Sequence, residues 1–289
     1  MSVQPQYSPS VPPISPADLP DWAPLIRDSS NWRFERGQLV HRDAPPELGA
    51  DGAAGGMKRW VVRWVYASHK RSRTVKRAIN GLLHDFGEPR WGLNFGAGST
   101  RFHPRILNLD VGRGPKTDIV NWGDELPFRT RSLDLVLSQE VLEHVDNPFH
   151  WVREIGRVLK PGGRFYCQMP FVIGYHPGPT DFWRFSREAY AQLLPAPDWE
   201  IEQLELALGH GSGLYRILVE FCAVTASVVH SKLYMPVKGA AAIGLSPLQC
   251  FDALTRFSAQ RDRIPGGYLC IARKRSDADA DSDANSDAG

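Results

Sequence analysis

Asp124 to Pro170 reads DELPFRTRSLDLVLSQEVLEHVDNPFHWVREIGRVLKPGGRFYCQMP, and this stretch decides the fold. Ser132–Ser138 (SLDLVLS) is a short apolar run of strand length. From Asn147 to Lys160 the pattern becomes helical, with Val152, Ile155, Val158 and Leu159 on one stripe. Asn147 suits the cap and Pro148 the first turn, because both positions leave amide groups outside the helical ladder. Pro161-Gly162-Gly163 ends the helix and turns the chain into a further strand, Arg164–Met169.

The same alternation extends outward. Trp91–Phe95 predicts a strand running into Gly96-Ala97-Gly98, followed by strands at Arg105–Asp110 and Thr117–Val120. Tyr268–Arg273 predicts the last. Strands alternating with helices predict an α/β fold, a doubly wound sheet with helices on both faces.

The chemistry begins at the glycine loop. Without a Cβ, backbone approaches a ligand closely, and in a doubly wound sheet that ligand lies at the carboxyl ends of the strands. Asp110, twelve residues after Gly98, ends the next strand, where a carboxylate can accept both hydroxyls of a ribose. Alone, Gly-Ala-Gly is equally a tight turn. A nicotinamide-binding loop would need its third glycine at position 101, which Arg101 fills.

The ordered set Leu126-Pro-Phe128, Asp134, Val141-Leu-Glu-His-Val145, Pro148 and Arg157-Val-Leu-Lys-Pro-Gly-Gly163 closely resembles class I S-adenosylmethionine-dependent methyltransferases. The likeness covers roughly residues 88–205 and the last strand. Pro170-Phe-Val-Ile-Gly-Tyr-His-Pro177 and Asp181-Phe-Trp-Arg-Phe185 resemble a bacterial subgroup often found with cell-surface glycan genes. The resemblance implies a Rossmann-like, seven-stranded, mostly parallel sheet with an antiparallel last strand, and S-adenosyl-L-methionine as cofactor. Gly96, Ala97 and Gly98 would line the methionine portion, Asp110 would hold the ribose and Val111 would pack on adenine. Ser138 and Gln139 would flank the sulfonium. Two positions depart from the pattern. Asn94 stands where many relatives carry Asp, and Asn121-Trp122 stand where an acid meets the adenine amine, leaving Asn121 to accept that bond. The short gap from Gly98 to Asp110 leaves little room for the first helix.

Methyl transfer from a sulfonium mainly requires alignment of nucleophile and methyl group, and a hydroxyl acceptor benefits from a base. His176 and Asp181, following the fifth strand, are the candidates. Tyr175, Trp183 and Arg184 are candidates for binding a saccharide. The bland alternative pairs Asp181 with Arg184 at i,i+3 and leaves Trp183 in the core. His144 serves equally well as a structural residue of the loop.

Composition sets the surroundings. The chain has 289 residues, 34 Lys+Arg and 32 Asp+Glu, a net charge of +2. The segment 276–289 carries five Asp and no cation, which leaves +7 on residues 1–275. It reads as a disordered acidic tail. Cys167, Cys222, Cys250 and Cys270 are widely spaced, without ligand-spaced His, so neither a disulfide framework nor a metal site is expected, and a cytoplasmic location is. Seven prolines among the first 24 residues and the glycines at 49–56 make residues 1–56 an arm, with a short hairpin around 33–42. Residues 57–87 predict a basic amphipathic segment. Eight Lys/Arg and no acid lie between Lys58 and Arg77, suited to packing on the domain, to an anionic membrane surface or to nucleic acid. The apolar insertion at about 211–250 is interrupted by Arg216, Glu220 and Lys232, so no transmembrane span is expected.

The function expected is methyl transfer to a hydroxyl of a small molecule or saccharide by the domain 88–275. Nucleic-acid methylation and a catalytically inactive binding module remain the alternatives.

Overall fold

Short apolar runs separated by glycine-rich turns become one sheet. A computed structural model of the protein describes residues 20–27, 30–35, 37–45, 72–255, 257–276 and 279. The strands are β1 (Trp32–Glu35), β2 (Gln38–His41), β3 (Gly92–Phe95), β4 (Ile106–Asp110), β5 (Ile119–Val120), β6 (Leu133–Gln139), β7 (Leu159–Pro170), β8 (Trp199–Leu208) and β9 (Gly267–Lys274). Their order is β1-β2-β5-β4-β3-β6-β7-β9-β8. Neighbours from β2 to β7 are parallel, whereas β1 with β2, β7 with β9 and β9 with β8 are antiparallel.

The class is the one expected and the last strand is antiparallel, but the sheet has nine strands rather than seven. The hairpin β1–β2 supplies the difference by pairing Leu39 and Val40 with Ile119 and Val120. Gln38 fixes it there, donating 2.9 Å bonds to the carbonyls of Gly114 and Thr117. β8 has no counterpart in the sequence reading. Its three glutamates are poor strand formers, tolerated because β8 is an edge.

Helices cover both faces. The helix α1 (Arg73–Leu83), capped by Ser72, buries Val75, Ala78 and Ile79 with Ile106, Leu135, Leu137 and Ile271. The helix α2 (Pro148–Val158) buries Val152, Ile155 and Val158 on the opposite face with Leu93, Leu133 and Phe165. Each of the Val, Leu, Ile and Phe side chains contributes roughly 1.5–3 kcal/mol. Residues 58–71 of the basic segment lie outside the described residues, as do residues 1–19 and almost all of the acidic tail.

Residues 126–163 form a set of tertiary clamps. Glu154 of α2 accepts a 2.9 Å bond from the Leu126 amide. Arg157 grips both oxygens of Glu154 at 2.8 Å and donates to the carbonyls of Phe128 and Leu126. Asp134 accepts from the Trp91 amide at 3.0 Å and from Lys160 at 2.8 Å, tying β6 to the start of β3 and to the first residues of β7.

The remaining helices are α3 (Arg187–Leu193), α4 (His210–Ser227), α5 (Tyr234–Gly244) and the single turn α6 (Asp252–Thr255). α4 packs Tyr215 and Val219 on Ala242 of α5. Among the described residues, no helix is long and apolar enough to cross a membrane.

Candidate active site

The strand order reverses between β3 and β6. From β3 the chain continues to β4 on one side, and from β6 to β7 on the other. That reversal opens a crevice at the carboxyl ends of the two strands. Gly96 (φ +68°) and Gly98 (φ +51°) both occupy the left-handed region beside it. A Cβ on Gly96 would lie 2.4 Å from Val141 Cγ2, so the glycine loop presses directly on the segment that follows β6. A Cβ on Gly98 would meet nothing within 4 Å. One glycine is demanded by packing, the other faces open space.

Asp110 Oδ2 accepts a 2.6 Å bond from the Gly98 amide, and Oδ1 accepts from the Gly112 amide at 3.1 Å. Val111 and Trp122 stand 47% and 43% exposed, and the Trp122 indole N–H donates to the Val111 carbonyl at 2.9 Å. Together they form a fixed apolar wall next to Asp110. Ser138 is buried and its hydroxyl has no hydrogen-bond partner among the described residues. Gln139 Nε2 donates to Gln168 Oε1 at 3.4 Å.

Asn94 and Asn121 face inward. Asn94 Nδ2 donates to the Thr100 carbonyl and to Asn108 Oδ1 at 3.0 and 3.1 Å, which a carboxylate could not do. Asn108 in turn donates to the carbonyls of Thr100 and Lys116, and Arg101 pairs with Asp118 at 2.7 Å. These contacts fasten residues 96–105, which contain no helix. Asn121 closes a turn, donating to the Glu125 carbonyl and accepting from the Gly123 amide.

On the other side of the crevice lies the segment after β7. Arg184 holds both oxygens of Asp181, at 2.6 and 2.8 Å, and the His176 amide donates to Asp181 Oδ2 at 2.9 Å. Burial works against the Asp181 charge, but Arg184 and the His176 amide outweigh it and bring its carboxyl down to about 2. So weak a base is unsuited to taking a proton. Asp181 positions His176 instead, and Arg184 is spent on Asp181. Trp183 is 37% exposed, its indole N–H donating to the Val145 carbonyl at 3.0 Å, and Tyr175 is 72% exposed.

Two features escaped the sequence reading. Glu143 is completely buried, and neither carboxylate oxygen has a hydrogen-bond partner among the described residues. Its Oε1 lies 3.7 Å from His144 Nε2 and 3.9 Å from His176 Nε2. Burial pushes its carboxyl above the usual range, against the opposing pull of both imidazoles. His144 clips the loop in place, with Nδ1 2.5 Å from the Thr180 carbonyl while Thr180 Oγ1 donates back to the His144 carbonyl. The second feature is a polar network under the crevice. Tyr166 donates to Gln168, Gln168 to Glu140, and the fully buried Arg216 of α4 reaches Glu140 at 3.4 Å. Its one sequence signal is a charged residue inside an apolar run.

Residues 104–167 match the family model described as "Methyltransferase domain". The chain is 33% identical over 126 residues to a protein of Mycolicibacterium smegmatis named "Probable S-adenosylmethionine-dependent methyltransferase", covering 38% of this chain and 49% of that one. It is 30% identical over 139 residues to the ubiquinone/menaquinone biosynthesis C-methyltransferase of Bartonella quintana, covering 46% and 45%. The chain spans about half the length of these curated relatives. Similar solved structures include phosphoethanolamine N-methyltransferase 2 of Haemonchus contortus (16% identity, TM-score 0.44, 75% of this chain and 56% of that). The 1,6-didemethyltoxoflavin-N1-methyltransferase of Burkholderia thailandensis is another (14%, TM-score 0.42, 86% and 100%).

The sheet is a mixed, mostly parallel sheet within an α/β fold, and residues 104–167 within it carry the methyltransferase-domain match.

Proposed function

We propose that this protein transfers a methyl group from S-adenosylmethionine to a hydroxyl of a small-molecule or saccharide acceptor. The observation that carries the reading is the cradle around Asp110. An open Gly98, a carboxylate clamped to its amide, and an apolar wall of Val111 and Trp122 lie side by side at the strand reversal. These residues suit a nucleoside bearing a charged tail. When bound, the cofactor supplies an electrophilic methyl group on a sulfonium.

The chain's own residues then divide the work. Asp110 keeps lone pairs for the ribose hydroxyls, and the Val111–Trp122 wall packs on the adenine. Gly96, Ala97 and Gly98 line the methionine portion. The unsatisfied Ser138 hydroxyl and Gln139 flank the sulfonium. Asn94 and Asn121 serve the loops rather than the ligand. On the acceptor side stands His176, held by Asp181, which Arg184 in turn grips. Tyr175 and Trp183 offer aromatic surface to a sugar ring.

Calorimetric titration with S-adenosylhomocysteine tests the cofactor half, and saturable binding is expected. No binding at millimolar ligand would leave a methyltransferase-fold module without transferase activity. A screen of saccharide and small-molecule acceptors with labelled cofactor then tests the hydroxyl.

A contact with an anionic membrane surface belongs to the same proposal. It is supported by the exposed apolar residues Phe221, Val224, Val228 and Val229 at the end of α4 and beyond. Flotation with anionic vesicles should recover more protein than flotation with neutral ones. Equal recovery refutes the contact.

A further inference from the structure

Glu143, His144 and His176 bring one carboxylate oxygen and two imidazole nitrogens within 4.8 Å of one another. The sequence conceals this group, because His176 lies on a different segment from the adjacent pair 143–144. Three independent bonds determine what the group presents.

His144 Nδ1 points at the Thr180 carbonyl, 2.5 Å away. A carbonyl only accepts, so Nδ1 carries the hydrogen and Nε2 keeps its lone pair. His176 Nδ1 lies 3.1 Å from the Gly174 carbonyl and 3.3 Å from Asp181 Oδ2, again two acceptors. The Arg184 guanidinium is more distant from that nitrogen, at 3.5 Å, and its hydrogens go to Asp181 and the Gly174 carbonyl. Neutral His176 in the same tautomer directs its Nε2 lone pair toward Glu143 Oε1, 3.9 Å away. The Glu143 carboxylate, completely buried and without a hydrogen-bond partner among the described residues, completes the set. Three lone-pair donors face one another, and each imidazole is oriented from behind by a carbonyl or a carboxylate. That is the arrangement by which proteins fix imidazoles for a metal ion.

We propose that Glu143 Oε1, His144 Nε2 and His176 Nε2 bind a divalent first-row cation of the zinc type, with a fourth position open. Two imidazoles and one carboxylate form a ligand set suited to zinc, and three protein ligands leave one position for solvent or substrate. At bond lengths of about 2.0–2.2 Å, tetrahedral ligand atoms lie roughly 3.3 Å apart. The observed separations of 3.7 and 3.9 Å close to that value by a shift of about half an ångström. The ion lies between the loop after β6 and the segment 174–185, where it can polarise an acceptor hydroxyl. That use rests on the methyl-transfer reading; the binding itself does not.

The test uses the full chain, freed of metal by a chelator and titrated with Zn2+ by calorimetry. One equivalent is expected, with affinity at least tenfold lower in Glu143→Gln and in His176→Asn. Should either variant fail to fold, Co2+ added to the unaltered chain gives a second reading. The visible spectrum of a four-coordinate nitrogen–oxygen site is expected, together with a rise in melting temperature. No saturable binding, or binding undiminished in both folded variants, overturns the site. S-adenosylhomocysteine titrated into the same samples separates the two ideas. Saturable S-adenosylhomocysteine binding with no Zn2+ binding refutes the cation site alone, and Zn2+ binding with no S-adenosylhomocysteine binding refutes the cofactor reading alone.

Discussion

Asp110 Oδ2 accepts a 2.6 Å hydrogen bond from the main-chain amide of Gly98, so the acid closing one strand sets the shape of the loop leaving its neighbour. On the proposed reading the same carboxylate also meets the ribose. Asp110→Ala would then remove both the clamp and that contact, and should weaken S-adenosylhomocysteine binding by at least tenfold, or about 1.4 kcal/mol. Calorimetry reads the affinity, and the melting temperature of the ligand-free protein should fall only slightly, because the side chain is partly exposed.

The two loop glycines should fail in opposite ways. Gly96→Ala places a methyl group against Val141 in a left-handed backbone, and should cost about 2–4 kcal/mol of stability. Val141→Ala in the same chain should return part of it. Gly98→Ala meets no neighbour and should cost only about 1–2 kcal/mol, while blocking the ligand's approach. Urea denaturation and ligand titration on both variants separate the effects. Equal losses on both measures would show that the loop does not divide its work this way.

The Asp181–Arg184 pair predicts an acid-sensitive contribution. The Asp181 carboxyl titrates near 2 in the folded chain, below its ordinary value of 3.8. A depressed carboxyl stabilises fully above its unfolded value and loses that contribution as pH falls through its folded value. The window is therefore about pH 4 down to 2, and the contribution about 2 kcal/mol. Asp181→Asn should be less stable than the unaltered protein by about that amount at pH 5, with the gap narrowing below pH 4. Urea midpoints at a series of pH values measure it.

Arg157→Lys tests the clamp between α2 and segment 126–128. The guanidinium makes four bonds, two to Glu154 and one each to the carbonyls of Leu126 and Phe128. An ammonium cannot reproduce that fork, and a loss of about 1–3 kcal/mol in urea denaturation is expected.

What was legible in the sequence was written locally. Asn147-Pro148 and Pro161-Gly-Gly163 mark the ends of α2 within a few residues, and an apolar run ending in Gly96-Ala-Gly98 marks β3 and its loop. The i,i+3 pairing of Asp181 with Arg184 was equally local, and it displaced Asp181 from the role of base. Long-range placement was not legible. Nothing near Leu39 announces Ile119 as its partner, and the glutamates of β8 disguise an edge strand. Asn94 looked like a lost cofactor contact because its partner Thr100 is defined only once the loop has folded. Glu143 carried no signal of its own, since its burial beside His176 is made by the segment that crosses over it.

The hairpin β1–β2 has a consequence for how the chain must assemble. β5 contributes only Ile119 and Val120, and without the hairpin those two residues would offer open ladder groups to any passing strand. Leu39 reaches Ile119 across about eighty residues, so this border is sealed by a long-range contact. Closing so long a loop is slow compared with pairings of strands near in sequence, such as β3 with β4. The N-terminal segment thus acts as a guard against intermolecular strand addition, and a chain shortened past residue 45 should aggregate from that border first.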